Sequence, residues 1–341
     1  MYILYEPQLS WPTDWTAVFH RDAPLVIEIG FGGGHFLIDL TQKRPFANIL
    51  GMEISLPSLR RGAQKAKVAG LRNVRVMQSN AWYVLWTLCE PQTVDAVFIN
   101  FPDPWPKSHH HRRRIISERF LHLLATRMTP GGTLDVATDH AEYAEWITER
   151  LARTPYFDSR QATVFVTEDH ERLRTKYELT AIAEGRTCHY YKFCRNDYPA
   201  DNIFPVPKEL PMPHVVLHAP IAIASNLLET IRDSFERDHA SFDNIHLSLT
   251  ELFLSRDEPK LFIEAYVKEE PLAQRVGVVV RQMKTGEYMI SLHELGFPRV
   301  TTGVHFAIGH VTKWILGLSS EITIQKSNLP TEIMEAVGIR I

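Results

Sequence analysis

The stretch LVIEIGFGGG at residues 25–34 gives the strongest indication of the fold. Its first half, Leu25–Ile29, is a short β-branched run that predicts a buried strand, and residues 35–41 are predicted to form a helix. The glycines between them predict a tight turn with no Cβ atom in the way of a ligand. A strand, a glycine turn and a helix in this order predict a ligand site at the carboxyl end of the strand.

Similar strand and helix signals alternate through the rest of the first half. The predicted strands are 48–53, 73–78, 94–99, 133–137 and 189–194, and the predicted helices between them are 56–69, 115–128 and 143–153. Buried strands that alternate with amphipathic helices predict an α/β fold with a doubly wound, mostly parallel sheet. Ligands of such sheets bind beyond the carboxyl ends of the strands. The residues that directly follow each strand are therefore the candidates for chemistry.

The second half is predicted to be a separate α+β domain. Five prolines within residues 196–213 block both helix and central strand, so this stretch predicts a semi-rigid, extended linker. Beyond it we expect strands at 214–219, 244–253, 261–267, 274–283, 288–292 and 321–325, and helices at 222–238 and 302–318. The predicted organisation is an N-terminal arm at 1–24, an α/β domain at 25–195, the linker at 196–213 and an α+β domain at 214–341.

Length and composition are those of a two-domain protein with a sizeable core. Of the 341 residues, 45% are hydrophobic and 23% are charged, which excludes a largely disordered protein. No apolar run approaches the roughly 20 residues that cross a bilayer, and the N-terminus lacks the pattern of a signal peptide. Three scattered cysteines do not indicate a disulfide framework. We therefore expect a cytoplasmic protein without membrane association.

Glu28 decides which ligand the glycine turn favours. The dinucleotide fingerprint G-x-G-x-x-G, begun at Gly30 and Gly32, needs glycine at position 35, where the chain has His35. A carboxylate at the end of the strand also disfavours a pyrophosphate. A cationic ligand suits this acidic turn better, and S-adenosylmethionine, with a sulfonium and an α-amino group, is such a ligand. A glycine turn that binds no ligand remains the alternative.

Three more polar residues follow predicted strands. Glu53 ends the second strand, where a carboxylate can accept two hydrogen bonds from an adenosine ribose, although an acidic residue is also favoured before a helix. Asn80 follows the third strand and could contact an adenine edge, although a helix N-cap is the commoner role of an isolated asparagine. Asp139 follows the fifth strand. The three positions together are more specific than any one of them.

The motif NFPDPWPK at residues 100–107 is the most specific chemical signal in the chain. It follows the fourth strand, where an open α/β sheet places its ligand site. The prolines on either side of Asp103 fix the backbone, so its carboxylate is expected to be held rigidly. Trp105 offers a flat face on which a base could stack. A purely structural proline loop is the alternative.

A basic run follows this motif, although the net charge of −3 gives no global basic field. Lys107 precedes the sequence SHHHRRR at 108–114, whose cations could bind phosphates. The alternatives are a solvated approach to a helix and a metal site. No acidic or cysteine partner lies at ligand spacing from the histidines, so zinc is the poorer explanation. The segment 175–178, TKYE, mixes hydroxyl, cation and acid, and without other information it predicts a surface turn.

Taken in chain order, these motifs resemble the bacterial tRNA (guanine-N7-)-methyltransferase family, the TrmB type. The matching elements are EIGFGGG at 28–34, GME at 51–53, NA at 80–81, FPDPWPK at 101–107, RRI at 113–115, ATD at 137–139 and TKYE at 175–178. The resemblance spans about residues 25–195. Two positions depart from the family pattern: Arg112, where lysine is common, and Asn80, where an acidic residue is frequent.

The resemblance implies a Rossmann-like class I S-adenosylmethionine-dependent methyltransferase with a seven-stranded sheet. It implies an enzyme that forms 7-methylguanosine at position 46 of the tRNA variable loop, with Asp103 as the catalytic residue. No metal is expected, and the resemblance assigns nothing to the domain at 214–341. The residues implied in binding are Glu28, Gly30, Gly32, Glu53 and Asn80 for the cofactor, Lys107, Asp139, Thr175, Lys176, Tyr177 and Glu178 for the substrate, and His109, Arg112, Arg113 and Arg114 for RNA.

The implied chemistry needs position and charge more than a base. Guanine N7 has a free lone pair and no proton to remove, so in-line placement against the sulfonium methyl is the main requirement. Methylation makes the base positive, and a fixed carboxylate such as Asp103 would stabilise that charge. Two other functions stay open from the sequence: a nicotinamide-dependent oxidoreductase and a non-catalytic RNA-binding subunit with the same fold. The oligomeric state, monomer or homodimer, is open as well.

Overall fold

The computed structural model describes residues 2–170, 172 and 174–339. It divides the chain into two units, Met1–Val206 and Pro207–Ile341. The division falls inside the proline-rich stretch at 196–213. Among the described residues, no helix combines the length and the apolar content needed to cross a membrane.

One eight-stranded sheet forms the centre of the first unit. Its strands are β1 (Ile3–Leu4), β2 (Leu25–Ile29), β3 (Asn48–Met52), β4 (Val74–Met77), β5 (Val94–Asn100), β6 (Met128–Thr138), β7 (Phe157–Ser159) and β8 (His189–Arg195). In space they follow the order β1-β4-β3-β2-β5-β6-β8-β7. Neighbours from β1 to β6 are parallel, and β8 is antiparallel to both β6 and β7. The predicted fold class is confirmed, with the two-residue β1 added to seven main strands.

Helices connect these strands and cover the sheet. They are α1 (Trp15–Phe19), α2 (His35–Lys43), α3 (Leu56–Val68), α4 (Ala81–Tyr83), α5 (Glu118–Arg127), α6 (Ala141–Arg153) and α7 (Lys176–Ala183), together with 3-10 helices at Glu6–Gln8 and Ser108–Arg113 and a π-helix at Val84–Leu88. β2 pairs with β3 on one side and with β5 on the other, so the order of the strands reverses direction between β2 and β5. A crevice therefore opens at the carboxyl ends of β2 and β5, where such sheets bind ligands.

The helix predicted at 115–128 is shorter than expected. Ser117 caps α5, because its side chain accepts a hydrogen bond from the backbone N–H of Phe120. Residues 114–117 are irregular and separate α5 from the 3-10 helix at Ser108–Arg113, and Met128 already belongs to β6. Most of the basic run, from Ser108 to Arg113, thus lies on its own short element, which the sequence did not predict.

Phe31 fixes the glycine turn to the helices around it. Its ring is buried against two positions where only glycine fits: a Cβ atom on Gly51 would lie 2.8 Å from the ring, and one on Gly62 would lie 2.5 Å from it. Gly51 is on β3 and Gly62 is on α3, so both neighbouring elements leave room for this ring. The aromatic side chain therefore holds the turn after β2 against β3 and α3.

Arg127, at the end of α5, attaches part of the proline-rich stretch to the first unit. This fully buried guanidinium donates to the carbonyl oxygens of Leu85, Trp86 and Phe204 at 2.8, 3.2 and 2.7 Å. Phe204 is itself fully buried, and the indole N–H of Trp86 donates to the Pro205 carbonyl at 2.8 Å. Residues 202–205 are therefore part of the packed first unit.

The second unit is a seven-stranded antiparallel sheet with helices on one face. The strands are β9 (His214–His218), β10 (Asp238–Phe242), β11 (Ile245–Leu254), β12 (Lys260–Glu269), β13 (Leu272–Gln282), β14 (Tyr288–His293) and β15 (Thr323–Ser327), in the order β10-β11-β12-β13-β14-β9-β15. The helices are α8 (Ile221–Ala224), α9 (Leu227–Asp233), α10 (Thr302–Leu316) and α11 (Thr331–Ala336). The largely buried α10 packs on the apolar face of the sheet, as expected of an α+β domain.

The long helix predicted at 222–238 is wrong. Two short helices, α8 and α9, are separated at Ser225 and Asn226, and Asp238 begins a strand. That strand forms a hairpin with β11 through a two-residue loop, in which Asp243 has a φ of +51°. Aspartate tolerates this left-handed conformation and is common in tight hairpins, so Asp243 with Asn244 was a turn signal that the sequence analysis missed.

We expect Gly62→Ala to lower the free energy of unfolding by about 1–2 kcal/mol. Alanine alone would favour a helix by up to about 1 kcal/mol, but the added methyl group overpacks the Phe31 ring, which costs about 1–3 kcal/mol. Urea denaturation measures the difference. Adding Phe31→Leu to this variant should recover part of the loss, and a Gly62→Ala protein as stable as the wild type would contradict the packing argument.

Candidate functional site

Three glycines shape the turn that follows β2. Gly30, Gly32 and Gly34 have φ angles of +71°, +53° and +75°, which L side chains rarely adopt. The N–H of Gly30 donates to the carbonyl of Met52 at 2.8 Å, so the turn is attached to the end of β3. A Cβ atom on Gly30 would have no neighbour within 4 Å. The turn is therefore open at the point where the sequence predicts a ligand.

Glu53 connects the ends of the first two main strands. One carboxylate oxygen accepts from the N–H of Gly32 at 2.8 Å, and the other accepts from the N–H of Ser55 at 2.9 Å. The residue is nearly buried. Each oxygen can still accept a further hydrogen bond, so the geometry allows the predicted ribose contact and adds a structural role.

Glu28, near the end of β2, is the least satisfied charged group of the site. Only 1% of the residue is exposed, and Asn100 Nδ2 donates to its Oε1 at 3.3 Å. Its other oxygen, Oε2, has no hydrogen-bond partner among the described residues. Burial raises the pKa of Glu28 to about 8, despite the opposing effects of Asn100 and Arg172. A bound cation would supply the missing partner and favour the ionised form.

The site combines negative charge with open space. Glu28 and Glu53 bring two carboxylates to the ends of adjacent strands beside an open glycine turn. Across the described part of the chain, no group of three or more His, Cys, Asp and Glu is arranged to hold a metal ion. The site can thus receive a ligand with one or two positive groups and hydroxyls.

The proline loop after β5 is held in an unusual backbone conformation. Phe101 and Trp105 have φ angles of +51° and +43°, in the left-handed region that non-glycine residues seldom occupy. The N–H of Phe101 continues the pairing with β6 by donating to the Ala137 carbonyl at 2.8 Å. Asp103 lies between the two strained positions and is exposed. The loop therefore presents this carboxylate to solvent from a constrained backbone.

The buried Arg114 holds the proline loop in place. Its guanidinium donates through Nε to the Pro104 carbonyl at 2.8 Å and through Nη2 to Glu142 Oε1 at 2.7 Å. It also lies 5.3 and 5.0 Å from the ring centres of Tyr143 and Trp146. Only 4% of the residue is exposed. The expectation that Arg114 contacts RNA is corrected, since it cannot reach a phosphate without leaving these partners.

The rest of the basic run remains accessible. Lys107, His109, Arg112 and Arg113 are all exposed. The guanidinium of Arg113 lies 4.9 Å from the ring centre of Trp105, so it covers one face of that indole. A base that stacked on this face, as the sequence suggested, would have to displace the arginine. The structure thus separates an exposed set of cations from one buried arginine within the same run.

Two of the predicted strand-end residues have local partners. Asn80 caps α4, because its Oδ1 accepts from the N–H of Tyr83 at 2.8 Å. This is the alternative considered for it, although its amide N–H groups can still donate. Asp139 forms an ion pair with Arg186. A ligand at Asp139 would therefore compete with or rearrange an existing partner.

The segment Thr175–Glu178 is the start of a helix rather than a surface turn. Thr175 and Glu178 form a capping box at the N-terminus of α7, with reciprocal bonds at 3.1 and 3.2 Å. Glu178 is fully buried and also accepts from the hydroxyl of Tyr190 at 2.7 Å. Tyr177 is exposed, and its ring lies 3.7 Å from where a Cβ atom on Gly32 would be. The side chain of Lys176 lies outside the described part of the structure.

Sequence reasoning missed two residues that join these parts. Asn100 bridges Glu28 and Arg172, because its Nδ2 donates to Glu28 and its Oδ1 accepts from Arg172 Nη2 at 2.8 Å. Asn100 could have been found, since it directly follows the predicted strand 94–99. Arg172 carried no such signal, because it lies in an irregular segment without a motif.

Comparisons with known proteins agree on one kind of chemistry. Residues 22–191 match a family model described as a putative methyltransferase. A tRNA (guanine-N(7)-)-methyltransferase of Thermus thermophilus is 33% identical over 299 residues, or 87% of this chain and 91% of the relative. One of Halorhodospira halophila is 38% identical over 177 residues, or 52% of this chain and 77% of the relative.

The Thermus alignment is longer than the first unit, so it extends into the second. Among solved structures, the 16S rRNA methyltransferase KamB aligns with 15% identity and a TM-score of 0.40, covering 53% of this chain and 92% of that one.

We expect Arg114→Ala to lower the free energy of unfolding by about 2–4 kcal/mol, because the substitution removes the donor to the partly buried Pro104 carbonyl and the packing under the loop. Arg112→Ala is the matched control two residues earlier, on an exposed side chain, and should change stability by less than about 0.5 kcal/mol. Chemical denaturation of both variants checks the assignment. Equal effects of the two substitutions would contradict the anchoring role.

Proposed function

Since this chain belongs to the tRNA (guanine-N7)-methyltransferase family, we propose that it transfers a methyl group from S-adenosylmethionine to N7 of guanine in tRNA. The target expected from the sequence motifs is the guanine at position 46 of the variable loop. The observation that carries the proposal is the buried Glu28, whose Oε2 has no partner among the described residues, beside an open glycine turn.

The residues present fit S-adenosylmethionine as the cofactor. When bound, it supplies an activated methyl group on a sulfonium. Glu28 would accept from the α-amino group or lie against the positive charge, which would compensate the cost of its burial. Glu53 would accept from the ribose hydroxyls, and the amide of Asn80 would donate to the adenine edge. Gly30 and Gly32 leave the space that the ligand needs.

Asp103 is proposed as the catalytic residue. Guanine N7 carries a lone pair and no proton, so the enzyme needs no general base at that atom. The base becomes positive as the methyl group arrives, and a fixed carboxylate stabilises that charge. The two left-handed positions, Phe101 and Trp105, and the anchor at Arg114 limit the movement of this carboxylate. Limited movement reduces the reorganisation required during the reaction.

The exposed cations next to Asp103 are proposed to bind the RNA. Lys107, His109, Arg112 and Arg113 lie on or beside the 3-10 helix that follows the loop. Such groups bind phosphates without regard to sequence and so place the target base. Asp139 and the Thr175–Glu178 segment are proposed to surround the guanine. A cytoplasmic location accords with a tRNA substrate.

A nicotinamide-dependent oxidoreductase is a poorer explanation of the same turn. A pyrophosphate would lie against the buried Glu28 and increase the cost of its negative charge, whereas a cation lowers it. The exposed cations after Lys107 have no role in hydride transfer. A non-catalytic RNA-binding protein is distinguished by the activity test below.

Incubation of the protein with methyl-labelled S-adenosylmethionine and bulk tRNA should yield 7-methylguanosine on nucleoside analysis. Asp103→Ala should lower the rate by about 100-fold or more, with the affinity for S-adenosylmethionine within about threefold of the wild type. Asp103→Asn, which keeps the shape, tests whether the charge matters. No 7-methylguanosine from the wild type would overturn the proposed function, and undiminished turnover of Asp103→Ala would remove that residue from it.

Binding of S-adenosylmethionine should strengthen as the pH rises. The pKa of Glu28 is raised to about 8, so this carboxyl is mostly protonated at neutral pH and must lose a proton to hold a cation. The Kd should therefore fall by up to about tenfold per pH unit below pH 8 and level off above it. Calorimetric titrations at several pH values measure this. Glu28→Gln should bind more weakly and lose the slope; an unchanged slope would assign the proton to another group.

A further inference from the structure

A continuous set of side-chain contacts runs from Glu28 to the start of α7. Glu28 accepts from Asn100 at 3.3 Å, and Asn100 accepts from Arg172 at 2.8 Å. Arg172 Nε lies 3.7 Å from Glu178 Oε2. Glu178 then holds the N–H of Thr175 and the hydroxyl of Tyr190. Buried or nearly buried groups thus join the proposed cofactor carboxylate to the proposed guanine-binding segment.

Arg172 is the central member of this set. Its guanidinium lies 5.2 Å from the ring centre of Phe36 and 5.1 Å from that of Tyr190. Its side chain is about one-eighth exposed, and the Glu178 side chain is not exposed. Because arginine only donates hydrogen bonds, it can bond to Asn100 only through Oδ1. The amide of Asn100 is thereby oriented with Nδ2 toward Glu28.

Glu178 determines where α7 begins. Its capping box with Thr175 satisfies the first N–H groups of the helix. Tyr177, one position earlier than Glu178, has its ring beside the glycine turn. The position of Glu178 therefore influences where the Tyr177 ring lies relative to the glycine turn. Arg172 is the cation next to Glu178.

We propose that Arg172 is a positioning residue that couples binding of the methyl donor at Glu28 to the ordering of the Thr175–Glu178 segment for the target base. This inference rests on the proposed function. A cationic donor ionises Glu28, and a hydrogen bond from Asn100 to a charged acceptor is stronger than one to a neutral acid. The stronger bond holds Asn100 in the orientation that bonds to Arg172, which stays beside Glu178.

The physical consequence is cooperative binding. If the donor orders the segment that receives the base, tRNA binds more tightly when the donor site is filled. Linkage requires that tRNA strengthen donor binding by the same factor. Typical couplings of this kind are about five- to 150-fold. Arg172 contacts neither ligand in this proposal, so its loss should reduce the factor more than it reduces either affinity alone.

Sinefungin, an unreactive amino analogue of S-adenosylmethionine, allows the coupling to be measured without turnover. The Kd of the full-length protein for an unmodified tRNA transcript is measured with and without saturating sinefungin. We expect about fivefold or tighter binding with sinefungin for the wild type, and a change below about twofold for Arg172→Met. Arg172→Lys, which keeps the charge but loses the fork of donors, should fall between them. Arg174→Met is the matched control on a neighbouring exposed arginine and should behave as the wild type.

Each outcome decides the inference. A wild-type protein that forms 7-methylguanosine but binds tRNA equally with and without sinefungin overturns the coupling and leaves the proposed function standing. Full coupling in a folded Arg172→Met removes Arg172 from it. If Arg172→Met does not fold, the wild type and Arg172→Lys still give the result. Absence of 7-methylguanosine from the wild type is instead the failure of the proposed function.

Discussion

Desolvation of the Glu28 carboxyl is the constraint on which the site depends. A charged carboxylate inside a protein is costly unless a cation or hydrogen bonds compensate it, and here one oxygen has no partner among the described residues. The sheet places this group where a parallel α/β fold opens to ligands. The glycine turn then leaves space for a ligand, because its glycines carry no side chain that would fill that space. A site of this kind favours a positively charged ligand over a neutral or negative one, whatever further contacts that ligand makes.

The proposed reaction also needs a carboxylate of limited mobility, and Arg114 from the basic run holds the loop that carries Asp103. Arg114 is buried beneath the proline loop, while Arg112 and Arg113 remain exposed. Neighbouring arginines therefore differ in environment: Arg114 holds the loop, and the two exposed ones are those proposed to bind RNA.

The sequence was sufficient for the parts of the structure that follow from local pattern. The strands of the α/β unit, the glycine turn and the residues at the strand ends carry alternation, spacing and turn chemistry that are visible in one dimension. Arg114 and Arg172 were not predictable in their roles, because both depend on partners brought together by the fold. Glu178 was assigned to a surface turn by composition alone, whereas the fold buries it and brings the hydroxyl of Tyr190 on β8 to its carboxylate. The Asp243 hairpin differs, since its turn signal was present in the sequence, but the predicted helix 222–238 and the predicted strand from 244 left residues 239–243 unassigned.

Arg127 has a consequence for how this chain can be divided. Its guanidinium donates to the carbonyl of Phe204, and the indole of Trp86 donates to the carbonyl of Pro205. These residues, although they follow the last strand of the sheet, are therefore held on the first unit. A gene fragment that stopped at residue 195 would lack Phe204. The apolar surface that Phe204 covers would then be exposed, and the buried Arg127 would lose one of its carbonyl partners. Exchange of the second unit between relatives by recombination would therefore be best tolerated at a junction beyond residue 205. Residues 202–205 would then remain with the first unit, against which they pack.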